Sequence, residues 1–241
     1  MNREVREVGR VAGLWRFPVK SMGAEALTDV SVSWHGFAGD RRWAFVREGV
    51  ARSSFPWLTL RERGDLCHYR PSFVDPDRPE ESATVVRIPT GDVLDVVDPA
   101  LAARIGPSGT RVIRQHRGIF DTFPLSLVTT QSIASLAERV GVELDVQRFR
   151  PNFLVEAAEN APFPEDFWVG RVLRIGGLRF RVDERDRRCA VITIDPETTN
   201  RDPAILRAVA RDRQGCFGVY GTTVQPGRVA VNDPVLLESV D

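Results

Sequence analysis

The chain has 241 residues, 42% hydrophobic and 27% charged, with 33 basic side chains set against 33 acidic ones. That length holds one large domain or two small ones; the even charge argues against a general nucleic-acid or membrane-surface binder, and no uncharged apolar run approaches the ~18–20 residues that span a bilayer. Three cysteines do not make a disulfide scaffold, and the charged opening Met1-Asn2-Arg3-Glu4-Val5-Arg6-Glu7 lacks a signal peptide's apolar segment, so a cytoplasmic protein is expected.

Most of the chain reads as short strands. Val30, Val32 and Trp34 alternate with polar residues, and Trp43-Ala44-Phe45-Val46 follows a turn at Gly39-Asp40. The polar, proline-rich residues 75–82 read as a surface loop. Val85-Val86-Arg87-Ile88 and Val93-Leu94-Asp95-Val96 flank Pro89-Thr90-Gly91-Asp92 as a hairpin. Asp98-Pro99 then places a capping carboxylate before a proline at the first helical position, with Leu101 and Ile105 four apart behind it. A second helix is expected over about 131–140, where Ile133, Leu136, Ala137 and Val140 share a face and Gly141 ends the run.

The clearest hairpin runs from 172 to 182 around Gly176-Gly177. Leu173, Ile175, Leu178, Phe180 and Val182 alternate with Arg174, Arg179 and Arg181, giving one buried and one wet face. A third helix follows Asp202-Pro203, with Ile205 and Val209 four apart. Residues 217–220 and 228–231 read as a final strand pair, and Val235 to Leu237 close the fold. The class is α+β, mostly β, in two β-rich halves, 1–115 and 116–241.

Common catalytic signatures are missing. There is no G-x-G-x-x-G after a strand, no G-x-x-x-x-G-K-[ST], no G-x-S-x-G and no H-E-x-x-H. Cys67-His68 has no second pair of soft ligands at zinc spacing, and three cysteines do not supply the four thiolates of an ordinary iron–sulfur cluster. A redox enzyme built on this chain takes its redox group and its electrons from elsewhere.

Of the 33 basic residues only Lys20 is lysine. An ammonium and a guanidinium do not fit the same sites, so Lys20 is either a surface lysine without a role or a residue that had to be compact. With Ser21 it follows Pro18-Val19, and ammonium beside hydroxyl suits a phosphate oxygen. Arg41, after Gly39-Asp40, either pairs with Asp40 at the surface or points its fork into a cleft, while Arg42 should face the other way. Arg150 and Asn152 flank Pro151; in an extended segment they share a face, as a ligand site or as a structural network. Arg185, Arg187 and Arg188 precede Cys189, and positive charge favours a thiolate there, whereas Cys67 and Cys216 read as small buried hydrophobes. Asp121, before Thr122-Phe123-Pro124, either delivers protons or caps a turn.

Six segments in order carry a resemblance: Leu14-Trp15-Arg16-Phe17-Pro18-Val19-Lys20-Ser21, Gly39-Asp40-Arg41-Arg42-Trp43, Arg148-Phe149-Arg150-Pro151-Asn152, Arg188-Cys189, Phe217-Gly218-Val219-Tyr220 and Asp233-Pro234-Val235. Together they resemble the molybdenum cofactor sulfurase C-terminal (MOSC) family with its amino-terminal β-barrel domain, over nearly the whole chain. The resemblance implies a MOSC β-barrel packed with a smaller β-rich domain. It also implies a molybdenum cofactor (molybdopterin) held by Lys20, Ser21, Arg41, Thr122, Arg150 and Asn152. Cys189 would be the metal ligand, at the head of Cys189-Ala190-Val191-Ile192-Thr193-Ile194-Asp195-Pro196, with Asp121 beside it as a further catalytic group. The expected activity is reduction of small N-hydroxylated compounds with electrons from a separate flavin or iron–sulfur protein. A persulfide sulfur carrier and a non-catalytic cofactor carrier are the alternatives. Two departures stand out. Phe123 replaces a serine of the reductase relatives, and Asp186 stands where some relatives carry a second cysteine, which weakens any mechanism needing a vicinal dithiol.

Overall fold

A computed structural model describes residues 5–50 and 53–239. Its elements are β1 (Val5–Arg16), β2 (Glu25–Leu27), β3 (Asp29–Ser33), β4 (Gly36–Phe37), β5 (Trp43–Val46), β6 (Arg70–Phe73), β7 (Thr84–Arg87), β8 (Val93–Asp95), α1 (Pro99–Ile105) and β9 (Arg111–Arg114). There follow β10 (Leu125–Thr129), α2 (Thr130–Val140), β11 (Phe153–Ala157), β12 (Val172–Ile175), β13 (Leu178–Arg187), α3 (Pro203–Arg213), β14 (Cys216–Gln225), β15 (Gly227–Ala230) and β16 (Pro234–Glu238).

Seven strands close into a barrel in the order β11-β10-β14-β13-β12-β16-β1, with β1 pairing back onto β11 and β2 hanging from β1. Closure removes the open edges of the sheet. The inward faces of the 172–182 hairpin behave as their alternation requires: Leu173, Ile175, Leu178, Phe180 and Val182 are fully buried in the barrel core. Phe37, Phe153 and Phe180 meet there, edge-on at 5.0 Å and stacked at 5.9 Å.

The helices start where their caps are. Asp98, Thr129 and Asp202 each accept a backbone N–H of the first turn, and Gly141 ends α2 in the left-handed region at φ 73. α2 and α3 pack outside the barrel over Phe149 and Phe217, which stack at 4.3 Å. A second core, with Phe45, Leu58, Leu66, Val86, Leu101 and Ile105, lies between the β5–β9 pair and the β6-β7-β8 sheet.

One expectation needs correction. Residues 217–220 and 228–231 both fall in or beside strands, but β14 pairs with β10 and β13, whereas β15 pairs with β3. Adjacent β14 and β15 are therefore not a hairpin, because each completes a sheet begun far away in sequence. Residues 75–82 form the expected surface loop, from which Glu80 accepts from Arg42 and from the Gly39 N–H. The long β1 carries no clean alternation, since its register shifts between Glu7 and Gly9 and again between Val11 and Gly13. Such bulges reset the period-2 pattern.

Candidate functional site

Where the barrel meets the smaller lobe there is a cleft of about 370 Å³. Lys20, Ser21, Arg41, Asp121, Thr122, Arg150, Asn152 and Cys189 all line it, so the structure brings together every residue singled out from sequence.

Three of these residues hold the backbone in the left-handed region: Ser21 at φ 70, Arg41 at φ 50 and Arg150 at φ 53. Side chains with a Cβ adopt it at a cost of about 1–3 kcal/mol each, and such strain concentrates at working sites. At Arg41 it separates two neighbours. Arg41 points to the cleft, where its guanidinium lies 4.7 Å from the Phe17 ring, while Arg42 turns away to Glu80 at 2.8 Å. Asp40, the partner of Arg41 at 2.5 Å, is wholly buried and also accepts from the Phe17 N–H at 2.7 Å and from Asn152 at 3.1 Å. A surface pair is thereby excluded.

Arg150 reaches the cleft by its left-handed turn and not by extended alternation. Its Nη1 donates to the Met22 carbonyl at 2.8 Å and its plane lies over Phe17 at 4.2 Å. It belongs to no ion pair among the described residues. Desolvation, and after it repulsion from Arg41, pulls the guanidinium down to about 9. Asn152 spends its side chain inside the protein. Its Oδ1 accepts from the Ser126 N–H and hydroxyl at 3.2 and 3.3 Å, and its Nδ2 donates to the Trp15 carbonyl and Asp40 at 3.2 and 3.1 Å. Of its two readings, the geometry supports the structural network.

Lys20 is not at the surface. It is 7% exposed, and its ammonium donates to the Ile119 carbonyl at 3.1 Å and to Asp121 at 2.5 Å. Burial lowers the Lys20 ammonium and Asp121 opposes that shift, while in return Lys20 and then Arg61 hold the Asp121 carboxyl below its usual value against desolvation.

Cys189 follows β13 and opens a single turn of 3-10 helix, Ala190–Thr193. The arginines before it in sequence do not reach its sulfur. Arg185 turns to Gln214 and the Arg213 carbonyl, and Arg188 bonds the Phe217 and Phe149 carbonyls at 2.7 and 2.8 Å. The guanidinium at the sulfur is Arg61, whose Nη2 is 3.4 Å from Sγ and 4.0 Å from Asp121. A turn fixes Arg61: Glu62 accepts from the Thr59 N–H and hydroxyl, and Arg201 donates to the Leu60 and Arg61 carbonyls. Sequence reasoning missed it because one arginine among thirty-two on a loop carries no local signal. Of the other cysteines, Cys67 is buried, where desolvation raises its thiol, but Cys216 is only half-buried.

Matches to known families fall on both lobes. The MOSC domain model matches residues 114–236, and the MOSC N-terminal beta barrel domain model matches residues 8–115. The chain belongs to the MOSC family. Molybdenum cofactor sulfurase of Caenorhabditis briggsae is 28% identical over 254 residues, covering 90% of this chain and 34% of that protein. The Drosophila erecta protein of the same name is 29% identical over 249 residues, covering 87% of this chain and 30% of that protein. This MOSC chain thus spans about a third of the length of the curated relatives it matches. The crystal structure of YuaD from Bacillus subtilis superposes with a TM-score of 0.55 at 13% identity, covering 99% of this chain and 100% of that one, a likeness of fold. Among the described residues no helix is long and apolar enough to cross a membrane.

Proposed function

We propose that this MOSC protein is a molybdenum-cofactor oxidoreductase that reduces small N-hydroxylated compounds, with electrons supplied by a separate flavin or iron–sulfur protein. The observation that carries the reading is an excess of cations in the cleft. Lys20 and six arginines, Arg41, Arg61, Arg148, Arg150, Arg187 and Arg188, line it with two acidic groups, Asp121 and Asp186. Asp40 pairs with Arg41 from behind and Asp195 with Arg148, while Arg150 is in no ion pair among the described residues and feels Asp40 and Asp121 only at longer range. A largely desolvated guanidinium with no ion-pair partner is costly, and an anionic ligand relieves the cost. A phosphate-bearing pterin fits this donor set: Lys20 and Ser21 as point charge and hydroxyl, Arg41 and Arg150 as planar forks, Thr122 at the rim.

Bound there, the cofactor would supply a two-electron redox change, with the half-buried Cys189 sulfur as the soft ligand from the protein. Arg61 positions that sulfur. Asp121, fixed between Lys20 and Arg61, is held ionised and so orients donors around the substrate oxygen in place of giving up a proton. A second reading, a persulfide sulfur carrier on Cys189, draws on the name of the curated relatives and on the same Arg61 contact, which suits any anionic sulfur.

The experiment is metal analysis with a paired assay. Protein made in a cofactor-competent host should carry molybdenum near one atom per chain. It should reduce a hydroxylamine or amidoxime with a reduced viologen, and not with NADH alone. Cys189→Ala should fold and lose that activity. Equal activity in Cys189→Ala refutes the ligand assignment, and cyanide-releasable sulfur without turnover selects the carrier.

A further inference from the structure

Asp186 was not among the expected site residues except as a departure from a cysteine pattern. Its setting in the cleft is unlike that of Asp121. The β13–β14 ladder slips between Arg185 and Arg187, so that Asp186 stands opposite the extra residue of β14, where Gly218 turns left-handed at φ 75. Bulges of this kind re-aim a side chain. Here the result is a carboxyl 1% exposed in the lining of the cleft, beside Tyr220 and Arg188. Its Oδ2 is in ionic contact with Arg188 Nη2 at 2.8 Å, yet neither of those two atoms makes a hydrogen bond with a described residue, and the nearby Tyr220 hydroxyl favours the ionised form of the carboxyl.

We propose that Asp186, held beside Arg188 in the lining it shares with Tyr220, is the proton donor of the cleft, and that the acid of the reaction is this buried carboxyl and not Asp121. The inference rests on the reductase reading. Conversion of R–NHOH to R–NH2 breaks the N–O bond, consumes two electrons and two protons, and releases water. Two equivalents of an external one-electron donor would supply the electrons, the bound cofactor serving as the redox group. One proton passes from the Asp186 carboxyl to the departing hydroxyl oxygen. The second comes from solvent, which then also reprotonates Asp186.

The two carboxyls are suited to opposite tasks. Asp121 is 47% exposed with an ammonium at 2.5 Å, so it stays ionised. Asp186 is pushed up to about 7, mainly by burial, against the opposing pull of Arg188, the Tyr220 hydroxyl and Arg41, while Asp121 adds a smaller upward push. Those four groups come from just past β13, from β14, from the turn before β5 and from the loop before β10, and they act on it most strongly after burial, with Lys20, Arg61, Arg148, Arg150, Arg187 and Cys189 lining the same cleft. The Tyr220 hydroxyl is itself pushed up by burial and by Asp186, so it remains a donor across the working range. A general acid works best when its pKa lies near the operating pH.

The test uses the molybdenum-loaded protein with a reduced viologen as donor, rates being taken per molybdenum atom. The parent should lose kcat above pH about 7. Asp186→Asn, which keeps the shape but holds no transferable proton, should lower kcat about a hundredfold and abolish that alkaline limb. Tyr220→Phe removes a hydroxyl that favours the carboxylate form, so its limb should move to higher pH. Independently of turnover, the metal-free parent should show an infrared protonated-carboxyl band that titrates near 7 and is missing from Asp186→Asn. An active parent with an equally active Asp186→Asn of unchanged pH profile overturns the proposal and leaves the reductase reading standing, as does a band that titrates near 4. A fully loaded parent that turns nothing over with any donor overturns both.

Discussion

Lys20 shows what a single residue type can disclose. One lysine among thirty-two arginines marks a place where a planar fork does not fit, and the ammonium is indeed enclosed between the Ile119 carbonyl and Asp121, with the Phe55 ring 5.7 Å away. Lys20→Arg keeps the charge and overfills this space. It should lower stability by about 1–3 kcal/mol, read from denaturant midpoints, and a purified Lys20→Arg protein should retain less molybdenum than the parent. Full stability with full metal content returns Lys20 to an ordinary lysine. The pair also has a pH signature. Because Asp121 is depressed in the folded state, its contribution is present above the unfolded carboxyl value and is lost as pH falls through the folded one. The residues that gather in the cleft were legible at this scale because residue types suited to anions and soft metals are few. Partners were not. Arg61 reaches Cys189 across 128 positions, and Asn152 turns inward because Ser126, Trp15 and Asp40 happen to surround it, none of which a local pattern records.

Elements were legible where their periodicity is local. Helix caps and the 172–182 hairpin follow from short-range patterns, while β1 and the pairing of β14 and β15 follow from bulges and from contacts far apart in sequence. The Phe217-Gly218-Val219-Tyr220 segment acquires a physical meaning only in the sheet. A Cβ on Gly218 would lie 2.6 Å from Val128 Cγ1, 2.7 Å from the Leu127 carbonyl oxygen and 3.2 Å from Arg188 Nη2. The glycine therefore lets β14 bulge close to β10 while Arg188 passes over it to reach the Phe217 carbonyl. Gly218→Ala adds left-handed strain to a clash with backbone, together about 2–4 kcal/mol. For a chain of this size the melting temperature should fall by roughly 5–15 °C. The Asp186 carboxyl should lose its fixed place at the same time, so activity should fall more than the remaining folded fraction. A melting temperature within a degree of the parent would show that the bulge is not under this constraint.

The whole molecule is divided differently in space from the way it is divided in sequence. The two matched family segments meet at residues 114 and 115, where they overlap, yet β1 closes the barrel onto β11 and β16, and β3 pairs with β15. The smaller lobe instead leaves and returns at one point. The Ile119 N–H donates to the Arg41 carbonyl and the Gln115 N–H to the Arg42 carbonyl, both at 2.8 Å, and β5 and β9 run antiparallel from there. Its core is therefore an excursion of roughly residues 43–114 from a barrel built of what lies on either side, with Val19, Met22 and Ile194 packed against it from the barrel's segments. Two shortened chains separate these descriptions. Residues 116–241 alone lack β1 and leave the edges of β11 and β16 unpaired, so they should aggregate and show no cooperative melting transition. A chain in which residues 43–114 are replaced by a short Gly/Ser linker keeps all seven barrel strands, and its linker spans ends already one hydrogen bond apart. That chain should melt cooperatively, as a monomer by size-exclusion chromatography. It should bind no molybdenum, because the wall bearing Arg61 is gone and Lys20 has lost much of its enclosure. A cooperative, monomeric 116–241 would instead make the sequence boundary the physical one, with β1 an accessory to a barrel that closes without it.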